Sequence, residues 1–334
     1  MTPDRFRCYL VSKDEAGKAH AAVTHKAIDE LPPGDVLIRV AYSSLNYKDA
    51  LSATGHPGVT RKYPHVPGVD AAGTVVDSRA AEFRPSDEVL VTGYDLGQNT
   101  SGGFSEYVRV PAGWVVPLPP GLTLRESMMY GTAGFTAAQC VAALAHHGIG
   151  PASGDVLVTG ASGGVGCLAV ALLARLGYRV VAASGKTSAH DLLKLAGAAE
   201  IVPREEVLDT SDKPLLPTRW SGAVDTVGGG TLATVVRSLR RAACVAACGL
   251  VGGTSLPLSV YPFILRGVDL AGIDSAECPM PTRRKLWQHL ATDWKPACLE
   301  RLATEVSLTE LGAKIEQILA GQIAGRVVVK PSAA

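Results

Sequence analysis

The stretch Val156–Lys186, VLVTGASGGVGCLAVALLARLGYRVVAASGK, determines the architecture that we predict for this chain. It begins with Val156–Thr159, a short apolar run of strand length, which is followed by the glycine-rich turn Gly160–Gly166. Cys167–Leu176 is apolar on almost every face, as a helix buried under a sheet would be. Tyr178–Ala183 is a second apolar run of strand length. Strand, glycine turn, helix and strand within about thirty residues predict a nucleotide-binding βαβ unit.

The glycines of this turn suit a dinucleotide, because a pyrophosphate must approach the backbone closely and rest on the N–H groups at a helix N-terminus. When the G-x-G-x-x-G pattern is placed on Gly163 and Gly166, Ala161 stands at the first glycine position. A glycine turn that only lets a helix pack closely on a strand would show the same residues. The strand before the turn and the helix after it favour cofactor binding.

The end of the second strand selects the cofactor. An NAD site carries Asp or Glu about twenty residues after the glycine turn, where the acid binds the ribose 2′-hydroxyl. This sequence has Ser184-Gly185-Lys186-Thr187 there, and no acid follows before Asp191. Small hydrogen-bond donors and a cation suit a 2′-phosphate, so the pattern predicts NADPH. A solvated loop lysine is the alternative interpretation of Lys186.

The composition indicates a globular protein of two domains, since 334 residues can form two hydrophobic cores. A net charge of +1 argues against a nucleic-acid or membrane surface, and no apolar run reaches the length of a membrane span. The N-terminal segment lacks the apolar centre of a signal peptide. The seven cysteines include no C-x-x-C pair, which argues against a disulfide framework. We therefore expect a soluble, cytoplasmic protein that binds neither nucleic acid nor membrane.

The chain on either side of the βαβ unit shows two patterns. Up to residue 125, short strands separated by proline- and glycine-rich turns predict a small, mostly β domain. Strands then alternate with helices, which predicts a doubly wound parallel sheet of the Rossmann type. The last helix and the strand Arg326–Lys330 are predicted to complete the first domain. The predicted fold class is α/β, with residues 1–125 and 277–334 in the β domain and residues 126–276 in the Rossmann domain.

Seven segments carry a resemblance to a known family. They are SSLNYKDAL (Ser43–Leu51), VPGVDAAGTV (Val66–Val75), GTAGFTA (Gly131–Ala137), VLVTGASGGVG (Val156–Gly166), VAACGLVGG (Val245–Gly253), PFILRGV (Pro262–Val268) and GIDS (Gly272–Ser275). Over essentially its whole length the chain resembles the medium-chain dehydrogenase/reductase superfamily. Within it, the chain is similar to the acrylyl-CoA reductase group, with its quinone oxidoreductases of the YhdH/YhfP type. The resemblance implies a GroES-like β domain, an inserted Rossmann domain and a C-terminus that returns to the first domain.

The zinc alcohol dehydrogenases of this superfamily differ from this sequence at their metal ligands. The resemblance places Asn46 where they have a cysteine, and Gly68-Val69-Asp70 where they have Gly-His-Glu. Neither Asn46 nor Val69 suits Zn²⁺, which prefers thiolate and imidazole ligands. The closely spaced cysteines of a structural zinc lobe are absent from the sequence, and we expect the nearby His56 and His65 to be solvated. We therefore predict no metal.

Without a metal, the expected chemistry is reduction of an activated C=C bond. Hydride delivered to the β-carbon of an enoyl thioester moves negative charge to the carbonyl oxygen, which needs hydrogen-bond donors, and the α-carbon then needs a proton. Asn46, Tyr47 and Lys48 would supply donors on the segment that the resemblance places beside the nicotinamide. We name Tyr47 and Asn46 as catalytic residues, with Tyr47 orienting the nicotinamide or donating the proton. A purely structural role is the alternative for Tyr47 and for Asp70.

The resemblance also implies which residues contact the cofactor. Arg204 follows the third strand of the Rossmann domain, where a guanidinium would add a second contact to the 2′-phosphate. A CoA substrate carries phosphates of its own, for which Arg61–Lys62, Arg266 and Arg283–Lys285 are basic candidates, although short basic runs are often solvated. The implied cofactor contacts are Tyr47, Ser162, Gly163, Gly164, Val165, Ser184, Gly185, Lys186, Arg204, Leu250, Ile264, Ser275 and Arg326.

The leading hypothesis for function is NADPH-dependent reduction of acryloyl-CoA, a short enoyl-CoA, to propanoyl-CoA. A broader quinone or enone reductase is the first alternative, since the same metal-free site would permit it. A noncatalytic NADPH-binding protein, such as the lens proteins related to this superfamily, is the second, and the segment Asn46–Lys48 counts against it. The apolar run Val245–Gly253, near the predicted sheet edge, is the expected pairing surface of a homodimer.

Overall fold

The structure is a computed structural model, in which residues 3–332 are described. These residues form two compact units. The first unit contains the described residues up to Thr132, together with Ala276–Ala291 and the described residues from Ala303 onward. The second unit contains Ala133–Ser275 and Thr292–Leu302.

The strands and helices follow one another along the chain with the bounds given next. They are β1 (Arg5–Lys13), β2 (Ala19–Ala27), β3 (Val36–Ser44), α1 (Tyr47–Ala53), β4 (Asp70–Ser78), β5 (Glu88–Thr92), β6 (Tyr107–Val110), β7 (Val116–Pro117), α2 (Leu124–His146), β8 (Val156–Val158), α3 (Gly164–Arg175), β9 (Val180–Ala183), α4 (His190–Leu195), β10 (Glu200–Val202), β11 (Trp220–Asp225), α5 (Gly229–Ser238), β12 (Leu239–Ala247), α6 (Tyr261–Arg266), β13 (Asp269–Gly272), α7 (Met280–Ala291), β14 (Ala303–Ser307), α8 (Leu311–Leu319) and β15 (Arg326–Lys330).

The first unit is mainly β structure. Its larger sheet has the order β14-β15-β3-β4-β5-β7, with β6 also paired to β3, while β1 and β2 form a separate antiparallel hairpin. One hydrophobic cluster includes Phe6, Phe104 and Leu311, and a second includes Ile38 and Val89. Because β15 pairs with β3 and β14, the C-terminal strand completes the sheet of the first unit, as the sequence predicts.

Two strands of this unit are not predicted by the sequence pattern. β2, AHAAVTHKA, has small and polar residues on both faces and no buried position. β14, ATEVS, buries only Val306. Both strands are paired along their length, β2 antiparallel with β1 and β14 parallel with β15. The partner strand, rather than local periodicity, therefore selects the extended conformation.

The second unit is the doubly wound sheet that the alternation predicts. Its six strands are all parallel and lie in the order β10-β9-β8-β11-β12-β13. When the strands are numbered along the chain from β8, they lie in the order 3-2-1-4-5-6, which is the Rossmann arrangement. From β8 to β10 the strands are added on one side and from β11 to β13 on the other, so the strand order reverses between β8 and β11. Ligands of such sheets bind outside the carboxyl ends of the strands at this reversal. The turn after β8 lies at that point.

Strand β12 of the second unit differs from the strand that the sequence pattern predicts. The apolar run predicts a strand over Cys244–Leu250, whereas β12 ends at Ala247. A Cβ on Gly249 would lie 2.7 Å from the Cα of Thr226, so the chain after β12 crosses the segment that follows β11 at backbone contact. This crossing ends the pairing before Leu250.

The long helix α2 is interrupted at Gly131, whose φ of 52° and ψ of −157° are not helical. Within the described residues, no helix combines the length and the apolar character needed to cross a membrane.

Candidate functional site

The glycine turn after β8 has the geometry of a phosphate-binding loop. Gly160 has a φ of +58°, a left-handed conformation that glycine adopts without strain. The N–H of Gly163 donates to the Gly160 carbonyl oxygen at 2.9 Å and closes the turn. A Cβ on Gly166 would lie 2.7 Å from the Cα of Ala161, so only glycine allows α3 to pack this closely. Gly160 makes the tight turn itself, which explains why Ala161 is tolerated at the first position of the pattern.

The sequence-predicted residues around this turn come together in the second unit. The hydroxyls of Ser162 and Ser184 are buried and lie 3.2 Å apart, and the N–H of Lys186 donates to Ser184 Oγ at 3.1 Å. A Cβ on Gly185 would lie 2.9 Å from Cδ of Arg204, so this arginine crosses the strand end where an acid would stand in an NAD site.

The charges at the end of β9 suit an anion. Partial burial lowers the pKa of Lys186, because desolvation makes the charged ammonium less stable. Arg204 is exposed and pairs with its neighbour Glu205 through Nε at 3.1 Å. Asp191, the first acid of this segment, is exposed on α4. Two cations and two hydroxyls therefore lie around Gly185.

A second group of predicted residues lies at the carboxyl ends of β12 and β13. Leu250 lines an open pocket of about 430 Å³ together with Cys248 and Asp274, and Ser275 follows directly. The predicted contact Ile264 is exposed on α6. The cofactor contacts of Leu250, Ile264 and Ser275 remain predictions.

The buried Asp225 braces the end of β11. Its carboxylate accepts hydrogen bonds from the Thr159 hydroxyl and from the N–H of Gly228, each at 2.7 Å. Its carbonyl oxygen accepts the N–H of Cys248 at 2.9 Å. Burial raises the pKa of Asp225, although these donors oppose the shift. The residue ties the ends of β8, β11 and β12 to one another.

In the first unit, Asn46 lies between two buried carboxylates. Its Nδ2 donates to Asp70 Oδ2 at 2.8 Å, to Asp49 Oδ2 at 3.2 Å and to the Ser44 carbonyl oxygen at 3.3 Å. Asp49 Oδ2 also accepts the backbone N–H of Asn46 at 2.8 Å, and Asp49 Oδ1 accepts the N–H of Val69 at 2.8 Å. Asp49 therefore holds the start of α1 to the chain that enters β4.

Asp70 is satisfied by donors from three parts of the first unit. It accepts the Ser44 hydroxyl at 2.5 Å, the Thr132 hydroxyl at 2.6 Å and the Thr132 N–H at 2.9 Å, in addition to Asn46. Its backbone carbonyl accepts the Ser43 hydroxyl at 2.6 Å. These contacts support the structural alternative for Asp70.

Arg326 joins the same network from β15. Its guanidinium donates to Ser44 Oγ at 2.9 Å and to the carbonyl oxygens of Met129 and Leu45 at 3.1 and 3.2 Å. A Cβ on Gly131 would lie 2.5 Å from the Asp70 carboxylate and 3.1 Å from this guanidinium. The structure thus places Arg326 beside Asn46 through shared partners, and its predicted cofactor contact remains a prediction.

The carboxyl group of Asp49 is fully buried, and its pKa is raised to about 7. Burial is the main cause, and the charge of Asp70 adds to it, while the N–H donors of Val69 and Asn46 partly oppose the shift. Tyr47 begins α1 with 39% of its surface exposed, and Lys48 beside it is exposed too. The predicted donors Tyr47 and Lys48 are therefore accessible, whereas the amide hydrogens of Asn46 are committed within the unit.

The raised pKa of Asp49 predicts a pH-dependent stability. Because the folded pKa lies above the unfolded one, its contribution is fully present below pH 4 and is lost as pH rises through 7. We expect the free energy of unfolding of the wild type, relative to D49N, to fall by about 3 kcal/mol between pH 5 and pH 8. Urea titrations of both proteins across that range measure it. A difference that stays constant with pH would contradict a raised pKa.

Comparisons with known proteins fit this geometry. A family model described as alcohol dehydrogenase GroES-like domain matches residues 32–120, and one described as zinc-binding dehydrogenase matches residues 164–292. The chain is 49% identical over 322 residues to YhfP, a putative quinone oxidoreductase of Bacillus subtilis, covering 96% of this chain and 98% of that one. The chain belongs to the medium-chain dehydrogenase/reductase superfamily. The predicted family and fold class, a GroES-like domain with a Rossmann domain, are confirmed.

Other members of the superfamily are similar over the full length. The chain is 46% identical over 329 residues to acrylyl-CoA reductase AcuI of Ruegeria pomeroyi, covering 98% of this chain and 100% of that one. It matches the crystal structure of the yhdH oxidoreductase from Salmonella enterica in complex with NADP, with a TM-score of 0.94, 46% identity and coverage of 97% and 99%. A structure of Bacillus subtilis YhfP with NAD bound gives a TM-score of 0.95, 46% identity and coverage of 98% and 100%.

One of the matched family models is described as a zinc-binding dehydrogenase. The residues of this chain at the zinc-ligand positions do not suit that metal. Asn46 Nδ2 faces carboxylates, and the Val69 side chain is a buried hydrocarbon without a donor atom. The carboxylates of Asp49 and Asp70 are occupied by N–H and O–H donors. Among residues 3–332, no three His, Cys, Asp or Glu side chains are grouped so that they could hold a metal ion. No step proposed below uses a metal.

One histidine expectation was wrong. His65 is buried, with Nε2 2.9 Å from the Gly97 carbonyl oxygen, and burial lowers its pKa. The backbone of His65 pairs with Val11, which carries the ring into the core of the first unit. His56 is exposed, and its Nδ1 accepts the N–H of Gly58 at 3.1 Å.

Two basic candidates for CoA phosphates are structural. Arg283 is fully buried and donates to the Thr92 carbonyl oxygen at 2.7 Å, with its guanidinium 4.4 Å from the ring centre of Tyr94. Arg266 donates to three carbonyl oxygens, including that of Leu216 at 2.6 Å. Both arginines bind main-chain carbonyl groups within their own unit. The sequence shows only that Arg283 lies in a basic run and Arg266 in a helix, and it does not reveal these contacts.

Sequence reasoning missed Asp49, which touches the predicted catalytic residue Asn46. The signal was present, because Asn at a helix start with an acid three residues later is a capping pattern. Ser44 and Thr132 carried no such signal, and only the fold brings them to Asp70.

Proposed function

We propose that the chain catalyses the NADPH-dependent reduction of the C=C bond of acryloyl-CoA to propanoyl-CoA. The proposal depends chiefly on Asn46, Val69 and Asp70, which stand where the zinc alcohol dehydrogenases of the superfamily have their metal site. This set offers no Lewis acid for an alcohol or ketone, while accessible donors remain beside it on α1. The similarity to AcuI, an acrylyl-CoA reductase, supports the substrate.

The residues fit a bound NADPH in the second unit. The turn Gly160–Gly166 leaves room for a pyrophosphate at the start of α3, and Ser184, Lys186 and Arg204 suit a 2′-phosphate. The matching structure of the Salmonella protein in complex with NADP supports this choice, while the YhfP structure holds NAD. The chemistry that NADPH supplies when bound is a hydride for the β-carbon of the enoyl thioester.

Residues on α1 stabilise the negative charge that develops on the substrate and supply the proton that completes the reduction. As the β-carbon gains hydride, the electron pair of the C=C bond moves towards the thioester carbonyl and forms an enolate. The hydroxyl of Tyr47 and the ammonium of Lys48 stabilise the enolate oxygen by hydrogen bonding. A proton then joins the α-carbon, through Tyr47 or a water held beside it, and completes propanoyl-CoA. Asn46 is fixed by the carboxylates and orients this donor.

The decisive experiment is NADPH oxidation by the purified, chelator-treated protein with acryloyl-CoA, crotonyl-CoA and a simple quinone side by side. We expect rapid turnover of acryloyl-CoA that chelation leaves unchanged. Preference for the quinone would support the alternative reductase, which the 49% identity to the putative quinone oxidoreductase YhfP favours. Tight NADPH binding without turnover of any substrate would indicate the noncatalytic alternative.

A charge-removal variant tests the choice of cofactor. K186A/R204A removes both cations from the region around Gly185, and we expect the Kd for NADPH to rise about 100-fold, since hydrogen bonds to charged groups contribute roughly 1.5–3 kcal/mol each. The Kd for NADH should change less than about threefold because NADH has no 2′-phosphate. Fluorescence titration measures both, with K194A, an exposed lysine on α4, as the control. Equal losses for the two cofactors would contradict a 2′-phosphate site.

We also propose that the protein is a cytoplasmic homodimer. Within the expected pairing surface Val245–Gly253, Val245 is buried in β12, whereas Leu250 and Val251 are exposed, and the sheet edge itself is β13. Exposed apolar residues lie around that edge, among them Val260 and Leu270. The seven cysteines, all among the described residues, are free thiols, which suits a reducing compartment.

A double variant tests the dimer. V260D/L270K places charges of opposite sign on the apolar surface beside β13, where an unpaired strand edge would otherwise meet a second copy. We expect light scattering to show a dimer for the wild type and a monomer for the variant. L208K, a substitution at an exposed apolar residue elsewhere in the second unit, should leave the dimer intact. A dimeric double variant would place the interface elsewhere.

A further inference from the structure

We propose that Asp49, with Asp70, is a positioning residue that fixes the Asn46 side-chain amide so that Asn46 offers its carbonyl oxygen, and not its NH₂ group, to the reacting molecules. This inference rests on the proposed function for its catalytic meaning, whereas its geometry stands on the first unit alone. In this orientation Asn46 accepts a hydrogen bond from a donor group of the reacting molecules, and Tyr47 and Lys48 stabilise the enolate.

The hydrogens of the Asn46 side chain are outnumbered by the acceptors around them. The NH₂ group has two hydrogens, and three acceptors lie within 3.3 Å: the carboxylates of Asp70 and Asp49 and the Ser44 carbonyl oxygen. Both hydrogens are thus used inside the unit. What remains for a ligand is Oδ1.

The opposite orientation of the Asn46 amide is unfavourable. A flipped side chain would place Oδ1 2.8 Å from Asp70 Oδ2 and 3.2 Å from Asp49 Oδ2, with no hydrogen between them. The Asp70 carboxylate, and that of Asp49 when it is ionised, would repel a carbonyl oxygen strongly, because the low local dielectric strengthens every unpaired contact. The carboxylate pair therefore selects one of the two amide orientations.

Asp49 contacts the backbone of Asn46 as well as its side chain. Its Oδ2 accepts the N–H of Asn46, and its Oδ1 accepts the N–H of Val69. Replacement by Asn keeps the size but turns one acceptor into a donor, which then faces either Val69 N–H or the two donors of Asn46. D49N is therefore a near-isosteric change that loosens Asn46 specifically.

The surroundings of Asp49 leave Asp70 as its most influential charged neighbour among the described residues. Elements packed around α1 carry further charged or titratable groups: His20, His25 and Lys26 on β2, Lys314 and Glu316 on α8, and Arg326 on β15, in addition to Lys48 on α1 itself. Among charged groups, Asp70 makes the largest contribution to the shifted pKa of Asp49. A titration seen at Asn46 near neutral pH is thus assigned to Asp49.

The sequence makes a direct test practical, because Asn46 and Asn99 are its only two asparagines. Protein labelled with ¹⁵N-asparagine gives two side-chain NH₂ pairs in an NMR spectrum. Asn99 is exposed, its NH₂ group donates to Asp95 at 2.9 Å, and it serves as an internal reference. In the wild type we expect the Asn46 NH₂ protons to move downfield as pH rises, with a midpoint near 7, since an ionised Asp49 is the stronger acceptor.

The variants give the matched comparison. D49N adds a third NH₂ pair, that of the new asparagine, and should move the Asn46 pair and abolish its titration. S52A, which removes buried hydrogen bonds from the same helix, should leave both the position and the titration of the Asn46 pair unchanged. In turnover, D49N should lower kcat for acryloyl-CoA at least tenfold, remove the acidic limb of the pH profile and leave the Kd for NADPH unchanged. S52A should keep that limb.

Each outcome decides the proposal. An Asn46 NH₂ pair that shows no titration at any pH at which the wild type is folded, or that D49N does not move, would overturn it. The wild-type titration needs no variant, so it decides the matter even where D49N fails to fold. Loss of activity in D49N with an unchanged pH profile would indicate a merely structural role. An absence of turnover in the wild type would reject the proposed function, and the NMR result would still decide the geometry.

Discussion

Replacing Tyr47 with phenylalanine is expected to lower kcat for acryloyl-CoA reduction about 100-fold, because one oxyanion donor or proton donor contributes on the order of 10²–10³ in rate. The Tyr47 ring is exposed at the start of α1, so loss of the hydroxyl should change neither the fold nor its stability. Steady-state NADPH oxidation at saturating acryloyl-CoA measures the effect.

The control for this prediction is a tyrosine of the same unit outside the site. Y63F removes a hydroxyl that donates to the Ser52 carbonyl oxygen at 2.9 Å, also next to α1. We expect it to keep kcat within about threefold of the wild type, since no charge develops near it. A Y47F enzyme as fast as Y63F would show that Tyr47 neither stabilises the enolate nor supplies the proton, and would leave those roles to Lys48 or water.

Replacing Gly131 with alanine is expected to lower the free energy of unfolding by at least 3 kcal/mol, since strained backbone costs about 1–3 kcal/mol and the clash adds to it. The φ of 52° with ψ of −157° is accessible almost only to glycine. A Cβ there would lie 2.5 Å from the Asp70 carboxylate, inside the network that Arg326 and Ser44 complete. Chemical denaturation of the purified variant measures the loss.

Gly148 is the matched control for Gly131. Its φ of +75° is also left-handed, but no atom lies within 4 Å of the position of its Cβ. G148A should therefore cost only about 1 kcal/mol, which is the backbone strain without the clash. Equal losses for the two variants would show that strain alone, and not the crowded carboxylate network, makes Gly131 necessary.

Local pattern was sufficient for the second unit. The βαβ unit, the glycine turn and the missing acid after β9 are all contained in the thirty residues around Gly160–Gly166, where spacing and residue type translate directly into backbone geometry. Residue type alone is also sufficient to judge the zinc-ligand position at Val69, since a hydrocarbon side chain cannot bind a metal in any fold. Full-length relatives confirm the family that these motifs indicate.

Local pattern failed where the environment comes from distant parts of the chain. The sequence suggested Asn46 as a donor to the substrate and His65 as solvated, and it offered Arg283 as a basic surface residue. Asn46 meets Asp70 across 24 residues, and Ser44 meets Arg326 across 282. Residue type states which hydrogen bonds a side chain can make, but only the fold decides which partners use them first.

The difference has one physical cause. Backbone periodicity and glycine conformations depend on neighbours within a few residues, so the dinucleotide-binding unit and its phosphate preference could be predicted from the chain alone. Burial and hydrogen-bond partners depend on which strands meet. Pairing with β1 and β15 makes β2 and β14 extended, and the packing of the first unit buries His65 and Arg283. The orientation of the Asn46 amide belongs to this second class, because two carboxylates that face it from α1 and β4 determine it.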